Sequence, residues 1–152
     1  MRNLFDETFL VSWMMEMRIL TLECNEFSFA CKQRLEFADP VTADENRSGS
    51  WDHCLLLLIS IETADASKIN RAVKAIRRIA RNVGTQQLVF NAFAHLSEDL
   101  ADPEVSSRLL AELVAKMADS GDWEVSSTPF GWHKELNMAV AVGPWSQKFI
   151  HL

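Results

Sequence analysis

One stretch constrains the fold of this chain more than any other: Cys54-Leu55-Leu56-Leu57-Leu58-Ile59-Ser60-Ile61. A strand with one solvated face alternates apolar and polar side chains, whereas a run that is apolar at nearly every position has to be covered on both faces. The run is far short of the roughly 20 residues needed to span a bilayer as a helix. It is therefore expected to be a central strand of a sheet with packed material on both sides. A chain of 152 residues, 48% hydrophobic and 24% charged, can supply that material within a single domain.

The flanking sequence builds the rest of the sheet. Arg18-Ile19-Leu20-Thr21-Leu22-Glu23-Cys24 and Phe27-Ser28-Phe29-Ala30-Cys31 both have strand character, and with only Asn25-Glu26 between them they predict a hairpin or a bent strand pair. Residues 38–50 read as a polar loop containing Pro40 and Gly49. Asp65 is placed to cap a helix from Ala66 to Val83, stopped by Gly84, with Ile69, Val73, Ile76, Ala80 and Val83 on one stripe. After the strand-like Leu88-Val89-Phe90, a second helix begins at Asp102-Pro103 and carries Val105, Leu109, Leu113 and Met117 before Gly121. Trp123–Ser127 and Leu136–Val142 complete the set. The order β-β-β-α-β-α-β-β predicts an α/β fold, a single domain in which a mixed β-sheet is packed with two main helices.

With 15 Lys and Arg against 21 Asp and Glu, the net charge of −6 argues against indiscriminate nucleic-acid binding, which draws on a basic surface to release phosphate counterions. The first helix departs from that balance through Lys68, Arg71, Lys74, Arg77, Arg78 and Arg81, by default a solvated face. Cys24, Cys31 and Cys54 form no CxxC pair, which supports neither a disulfide framework nor a zinc knuckle and fits a reducing cytoplasm. Trp51-Asp52-His53-Cys54 is a weak candidate for a metal or Cys–His site, since neighbouring strand residues point to opposite faces. Near the N-terminus, Phe9, Leu10, Val11, Trp13, Met14 and Met15 are interrupted and flanked by Asp6, Glu7 and Glu16, unlike a secretory segment. Residues 1–16 read as a poorly anchored extension ahead of a domain at 17–152.

Two segments place ionisable groups where apolar strands end. Asn91-Ala92-Phe93-Ala94-His95-Leu96-Ser97 delivers an imidazole directly after one strand, and Thr128-Pro129-Phe130-Gly131-Trp132-His133-Lys134-Glu135 delivers an ammonium group just past a Pro/Gly turn. Taken singly, His95 reads more simply as a histidine bonded to the backbone of its turn, and Lys134 as a solvated lysine. Taken together, Ala94-His95-Leu96-Ser97 with Asp99-Leu100-Ala101 and Pro103, followed by Pro129–Lys134, resemble the archaeal-type editing domain of threonyl-tRNA synthetase over about residues 17–150. The fold this resemblance implies is that of D-aminoacyl-tRNA deacylase.

The activity it implies is hydrolysis of the ester of a mischarged tRNA, seryl-tRNA for threonine or a related aminoacyl-tRNA. Serine and threonine differ by one methyl group, worth only about 1–3 kcal/mol in a pocket, so a second, hydrolytic site removes errors that synthesis admits. The resemblance assigns catalysis to His95 and Lys134, with Gln147 in Gly143-Pro144-Trp145-Ser146-Gln147 standing where the family tends to carry an acidic residue. Backbone amides near Ala92-Phe93-Ala94 are expected to add hydrogen-bond donors. It assigns substrate binding to Phe93, Ala94, Phe130, Trp132 and His133, the last replacing a common tyrosine, and to Glu23 and Asn25, whose run Glu23-Cys24-Asn25 replaces a histidine-serine-aspartate-like one.

No metal and no cofactor are implied. The expected partners are the acceptor end of a charged tRNA, a synthetase and, since the family domain dimerises through its sheet, a second copy; no membrane partner is expected. The basic helix then has a second reading as a guide for tRNA phosphates. Reaching Leu152 with no aminoacylation or anticodon-binding region, the chain reads as a free-standing editing domain in the cytoplasm. The alternatives are a non-catalytic module that binds the aminoacyl-tRNA end, motivated by Gln147 and Glu23-Cys24-Asn25, and a deacylase of D-aminoacyl-tRNA.

Overall fold

The computed structural model describes residues 17–38, 47–62, 68–96 and 101–152. Its elements are β1 (Arg18–Arg34), β2 (Ser48–Ser60), α1 (Ile69–Val83), β3 (Gln87–Ala92), a 3₁₀ turn (Ala94–Leu96), α2 (Pro103–Asp119), β4 (Glu124–Ser127), β5 (Trp132–Val140) and β6 (Gln147–His151). They form one six-stranded mixed sheet in the order β4-β3-β2-β1-β5, with β6 also paired to β1. β2 is antiparallel to β1 and parallel to β3, and β3 is parallel to β4.

The apolar run takes the central place its composition demands. Leu55, Leu57, Ile59 and Ile61 pack with Ile69, Val73, Ile76 and Ala80 of α1 and with Leu109, Leu113 and Met117 of α2. On the other face Cys54, Leu56 and Leu58 join Leu22, Cys24, Phe27, Phe29 and Val89 in a second core. α1 ends at Gly84, whose φ of 77° suits a left-handed cap and whose amide bonds Ala80 O at 2.9 Å. α2 starts as its sequence predicts, with Asp102 Oδ1 accepting from the Glu104 amide at 3.0 Å and Pro103 in the first turn. Asp65, the expected cap of α1, lies outside the described residues, as do residues 1–16 and most of the 38–50 loop.

Two sequence expectations are corrected. The runs on either side of Asn25-Glu26 are neither a hairpin nor two strands but one 17-residue strand, β1, with an irregularity in its middle. The ladder with β2 passes from Cys24↔Cys54 to Glu26↔Asp52, and His53 there has a φ of 37°, a left-handed conformation uncommon for a non-glycine residue. The ladder with β5 shifts at the same place. This bulge shifts the alternation, so that Leu22 and Cys24 before it and Phe27 and Phe29 after it all face the second core.

The second correction concerns the edge of the sheet. The last predicted strand, Leu136–Val142, is instead β5 from Trp132 to Val140, followed by β6, which the sequence reading lacked. β5 lies along Cys24–Arg34 and β6 along Arg18–Leu22, one after the other on the same side of β1. β6 is short and of its five residues only Ile150 is buried, so its hydropathy pattern carries little signal.

Candidate active site at the strand ends

A cavity of about 300 Å³ opens where β2 and β3 end, between the start of α2 and the turn that leads into β5. His95, Lys134, Phe93, Ala94, Phe130, Trp132 and His133 all line it, so the two motifs, separated by more than thirty residues in sequence, meet at one place. A buried hydrogen bond joins them: Thr128 Oγ1, at the start of the second motif, donates to Asn91 Oδ1 of the first at 2.6 Å. The Thr128 amide also bonds Phe90 O at 2.9 Å.

His95 is carried by the 3₁₀ turn that leaves β3. The Phe93 amide extends the ladder by bonding Ile59 O at 2.8 Å, which commits one of the amides expected as a donor to substrate. Beyond it, Arg18 Nη1 donates to Leu96 O at 2.9 Å and Arg18 Nε lies 3.8 Å from Glu62, a carboxylate that is 1% exposed. The first residue of β1 thus ties the histidine turn to the sheet. The His95 ring is exposed, meets the Phe93 ring edge-on at 5.2 Å, and makes no hydrogen bond among the described residues. That geometry departs from the simpler reading of a histidine bonded to its own turn.

Lys134 is placed by strand alternation. Along β5, Trp132, Lys134 and Leu136 are half-buried and His133, Glu135 and Asn137 are exposed, so Lys134 shares the inward side with Leu136, which packs on the second core. It stands opposite Cys31 in the ladder. Burial pushes the Cys31 thiol up, and the Lys134 and Arg47 charges pull it back. The turn before β5 is fixed by Gly131, whose φ is 81° and whose carbonyl accepts from the Leu35 amide at 2.9 Å. A Cβ there would meet Ala38 Cα at 2.5 Å, so only glycine fits. Phe130 packs on Phe37 at 6.0 Å, and Arg47 lies 5.4 Å over the Trp132 ring.

A model of the archaea-specific editing domain of threonyl-tRNA synthetase matches residues 17–151. The chain belongs to that family. Two similar proteins are the threonine–tRNA ligases of Thermofilum pendens, 32% identical over 135 residues, and Staphylothermus marinus, 34% identical over 133 residues. Each match covers 86% of this chain but 22% of the ligase, so the chain corresponds to a fraction of those proteins. A solved structure described as a probable eukaryotic D-amino acid tRNA deacylase superposes with a TM-score of 0.64 over 91% of this chain and 100% of that one, at 11% identity. The editing domain therefore has the fold that the motif resemblance implied.

The remaining sequence candidates of the editing domain lie elsewhere. Glu23, Asn25 and Gln147 are not among the residues lining the cavity. Asn25 is exposed at the β1 bulge, and Gln147 is exposed at the start of β6, opposite Leu22. Glu23 Oε1 accepts from Ser146 Oγ at 2.8 Å, and Oε2 lies 2.8 Å from His53 Nε2. The His53 hydrogen bond holds the Glu23 carboxyl below its ordinary value against the opposing effect of burial, with Ser146 adding to the depression. His133 lines the cavity but is exposed, on the outward side of β5.

Sequence reasoning missed two polar residues at the cavity. Ser60 is 2% exposed, and its Oγ has no hydrogen-bond partner among the described residues. Asn91, also 2% exposed, accepts from Thr128 Oγ1 through its Oδ1, while its Nδ2 makes only a 3.2 Å bond to the adjacent Ala92 carbonyl. Their signal was present in the sequence, because Ser60 is the polar exception in the apolar Cys54–Ile61 run and Asn91 directly follows the apolar Leu88-Val89-Phe90 run.

The Trp51–Cys54 run supplies no nucleophile. Cys54 is fully buried beside Cys24, and contact with that thiol, reinforced by burial, raises the Cys54 thiol far above the ordinary range, which leaves it protonated. Among the described residues no three His, Cys, Asp or Glu side chains gather as a metal site requires.

Proposed function

We propose that this editing domain hydrolyses the ester joining an amino acid to the terminal ribose of tRNA, with seryl-tRNA for threonine as its substrate. The observation that carries this reading is the convergence of His95 and Lys134 on one cavity, joined through the Asn91–Thr128 hydrogen bond. Family membership supports the reaction class. At about 300 Å³ the cavity is at the small end of ligand pockets, a size that suits an amino acid and part of a ribose better than a whole nucleotide.

An aminoacyl ester is already activated, so catalysis needs a positioned water and a counter-charge for the tetrahedral oxyanion. Water oxygen bonds to the carbonyl carbon, the ester C–O bond breaks, and the water's proton passes to the departing ribose oxygen. The Lys134 ammonium stabilises the oxyanion, and the exposed His95 ring orients the water or the ribose. Phe130 and Trp132 wall the cavity, while Ser60 Oγ and Asn91 supply polar groups beside it.

The reading is tested with the purified chain and seryl-tRNA, threonyl-tRNA and a D-aminoacyl-tRNA, with ester loss measured against buffer. Faster loss of seryl-tRNA than of the other two is expected. Loss confined to the D-aminoacyl ester would replace the substrate, and tight binding without ester loss would make the domain a binding module. The charged acceptor end is the implied partner, in a reducing cytoplasm. Action beside a synthetase and pairing with a second copy through the sheet belong to the same proposal, the latter checked by sedimentation mass. No helix among the described residues is long and apolar enough to cross a membrane.

A further inference from the structure

The exposed face of α1 is charged in a way the rest of the chain is not. Arg71, Lys74, Arg77, Arg78 and Arg81 place five of the chain's 15 Lys and Arg on this one helix, which contains no Asp or Glu. Arg71, Lys74, Arg78 and Arg81, spaced three, four and three residues apart, are exposed along one face. Elsewhere several basic groups lie beside carboxylates, Arg18 by Glu62, Lys32 by Glu135 and Lys116 by Glu112. Among the described residues none of the four on α1 has such a partner.

Arg78 lies 5.5 Å over the Trp145 ring, and Lys148 of β6 approaches the same ring at 4.9 Å. Two cations gathered on one indole repel each other, and an anion shared between them relieves that repulsion. The direction of the stripe matters as well. Lys68, just before α1, donates to Leu152 O, the Leu152 amide bonds Met17 O, and the adjoining Arg18 pairs with Ser60 at the cavity. α1 therefore starts at the cavity end of the sheet. It finishes at the opposite end, where Arg81 lies 5.9 Å over Trp123, next to the start of β4. At 1.5 Å per residue the stripe from Arg71 to Arg81 runs about 15 Å, long enough to face several consecutive phosphates.

We propose that this α1 face, with Lys148, binds the phosphate backbone of the tRNA acceptor arm whose aminoacyl ester enters the cavity. The proposal rests on the tRNA reading of the cavity but concerns a separate surface. It makes affinity for tRNA depend on charges that take no part in the chemistry, in a protein whose net charge of −6 would otherwise repel the ligand.

The test compares the full chain with the double variant Arg71→Gln/Lys74→Gln and with Lys32→Gln as a control on β1. Binding of uncharged tRNA is titrated over a range of salt concentrations, and hydrolysis of 3′-seryl-adenosine, an ester without the tRNA body, is followed in parallel. The double variant is expected to bind tRNA about tenfold more weakly at low salt. Its slope of log K against log salt should be shallower by about 1.5, since each lost phosphate contact removes ~0.7–0.9. Its rate on seryl-adenosine and the behaviour of Lys32→Gln should match wild type. Unchanged affinity and slope, equal losses in Lys32→Gln, or no measurable tRNA binding by the wild type would overturn the proposal. If the wild type hydrolyses neither seryl-adenosine nor charged tRNA, the deacylase reading fails, and the salt titration still decides the α1 surface.

Discussion

The cavity at the strand ends and the Glu23–His53–Ser146 cluster both gather polar groups from distant parts of the chain, and they leave those groups in opposite states. In the cluster the Glu23 carboxylate is satisfied at both oxygens, at 2.8 Å each, within a closed local network. In the cavity Ser60 Oγ lacks a partner among the described residues, and the His95 ring touches only an aromatic edge. Buried polar groups are normally paired because an unpaired one costs about 1–3 kcal/mol, so an unpaired one beside an opening marks a place where another molecule can complete the set. Both regions draw on β2, through His53 in the cluster and Ile59 and Ser60 in the cavity. One region is closed on itself and the other leaves polar groups open beside a cavity.

The largest effect that can break this comparison is on the cavity side. Lys134→Ala should lower the single-turnover rate of seryl-tRNA deacylation by ~10²–10³-fold, as loss of an oxyanion donor does, with the melting temperature unchanged. A rate within threefold of wild type would remove the cavity's claim to the chemistry. Next, Gly131→Ala should cost about 2–4 kcal/mol in denaturant unfolding, because it combines a positive φ with a Cβ placed against the Ala38 backbone. Wild-type stability there would mean that the turn before Lys134 is looser than its geometry shows.

The cluster side should respond to pH and not in turnover. Glu23→Gln should cost about 1 kcal/mol at neutral pH, from the weakened charge-assisted hydrogen bonds of a partly exposed group. Because the folded Glu23 carboxyl is held below its ordinary value of 4.5, its contribution is complete above that pH and is lost as pH falls through the folded value. The stability gap between wild type and Glu23→Gln should therefore close on acidification below about pH 4.5. A gap that widened there would reverse the assigned role. The smallest effect belongs to Gln147→Ala, which should leave the deacylation rate within about twofold, since Gln147 is exposed and does not line the cavity. A tenfold loss would move the catalytic centre towards β6.

Much of the fold was legible because it rests on local chemistry. The Cys54–Ile61 run required cover on both faces, and the Asp102-Pro103 start and Gly84 stop are local backbone preferences that the structure repeats. β6 was not legible, since a short edge strand with one buried residue has no periodicity to detect. Among the site residues, His95 and Lys134 were visible as paired motifs. Ser60 was hidden inside a strand read only for hydropathy, and Asn91 opened the first motif without a role of its own.

What the sequence determined by itself was the inventory: a central strand, two amphipathic helices and two motifs at strand ends, all set by short-range patterns of side-chain polarity. Tertiary structure alone decided which polar groups meet. The bulge at Asn25 and His53 sets which way β1 and β2 side chains point, and β6 closes the edge that brings Ser146 to Glu23, 123 residues away in sequence. Side-chain direction in a strand depends on register, and register is set by long-range pairing that no local segment encodes. That is the physical reason Glu23 was read with His95 and Lys134 from sequence and is found with His53 and Ser146 in the fold.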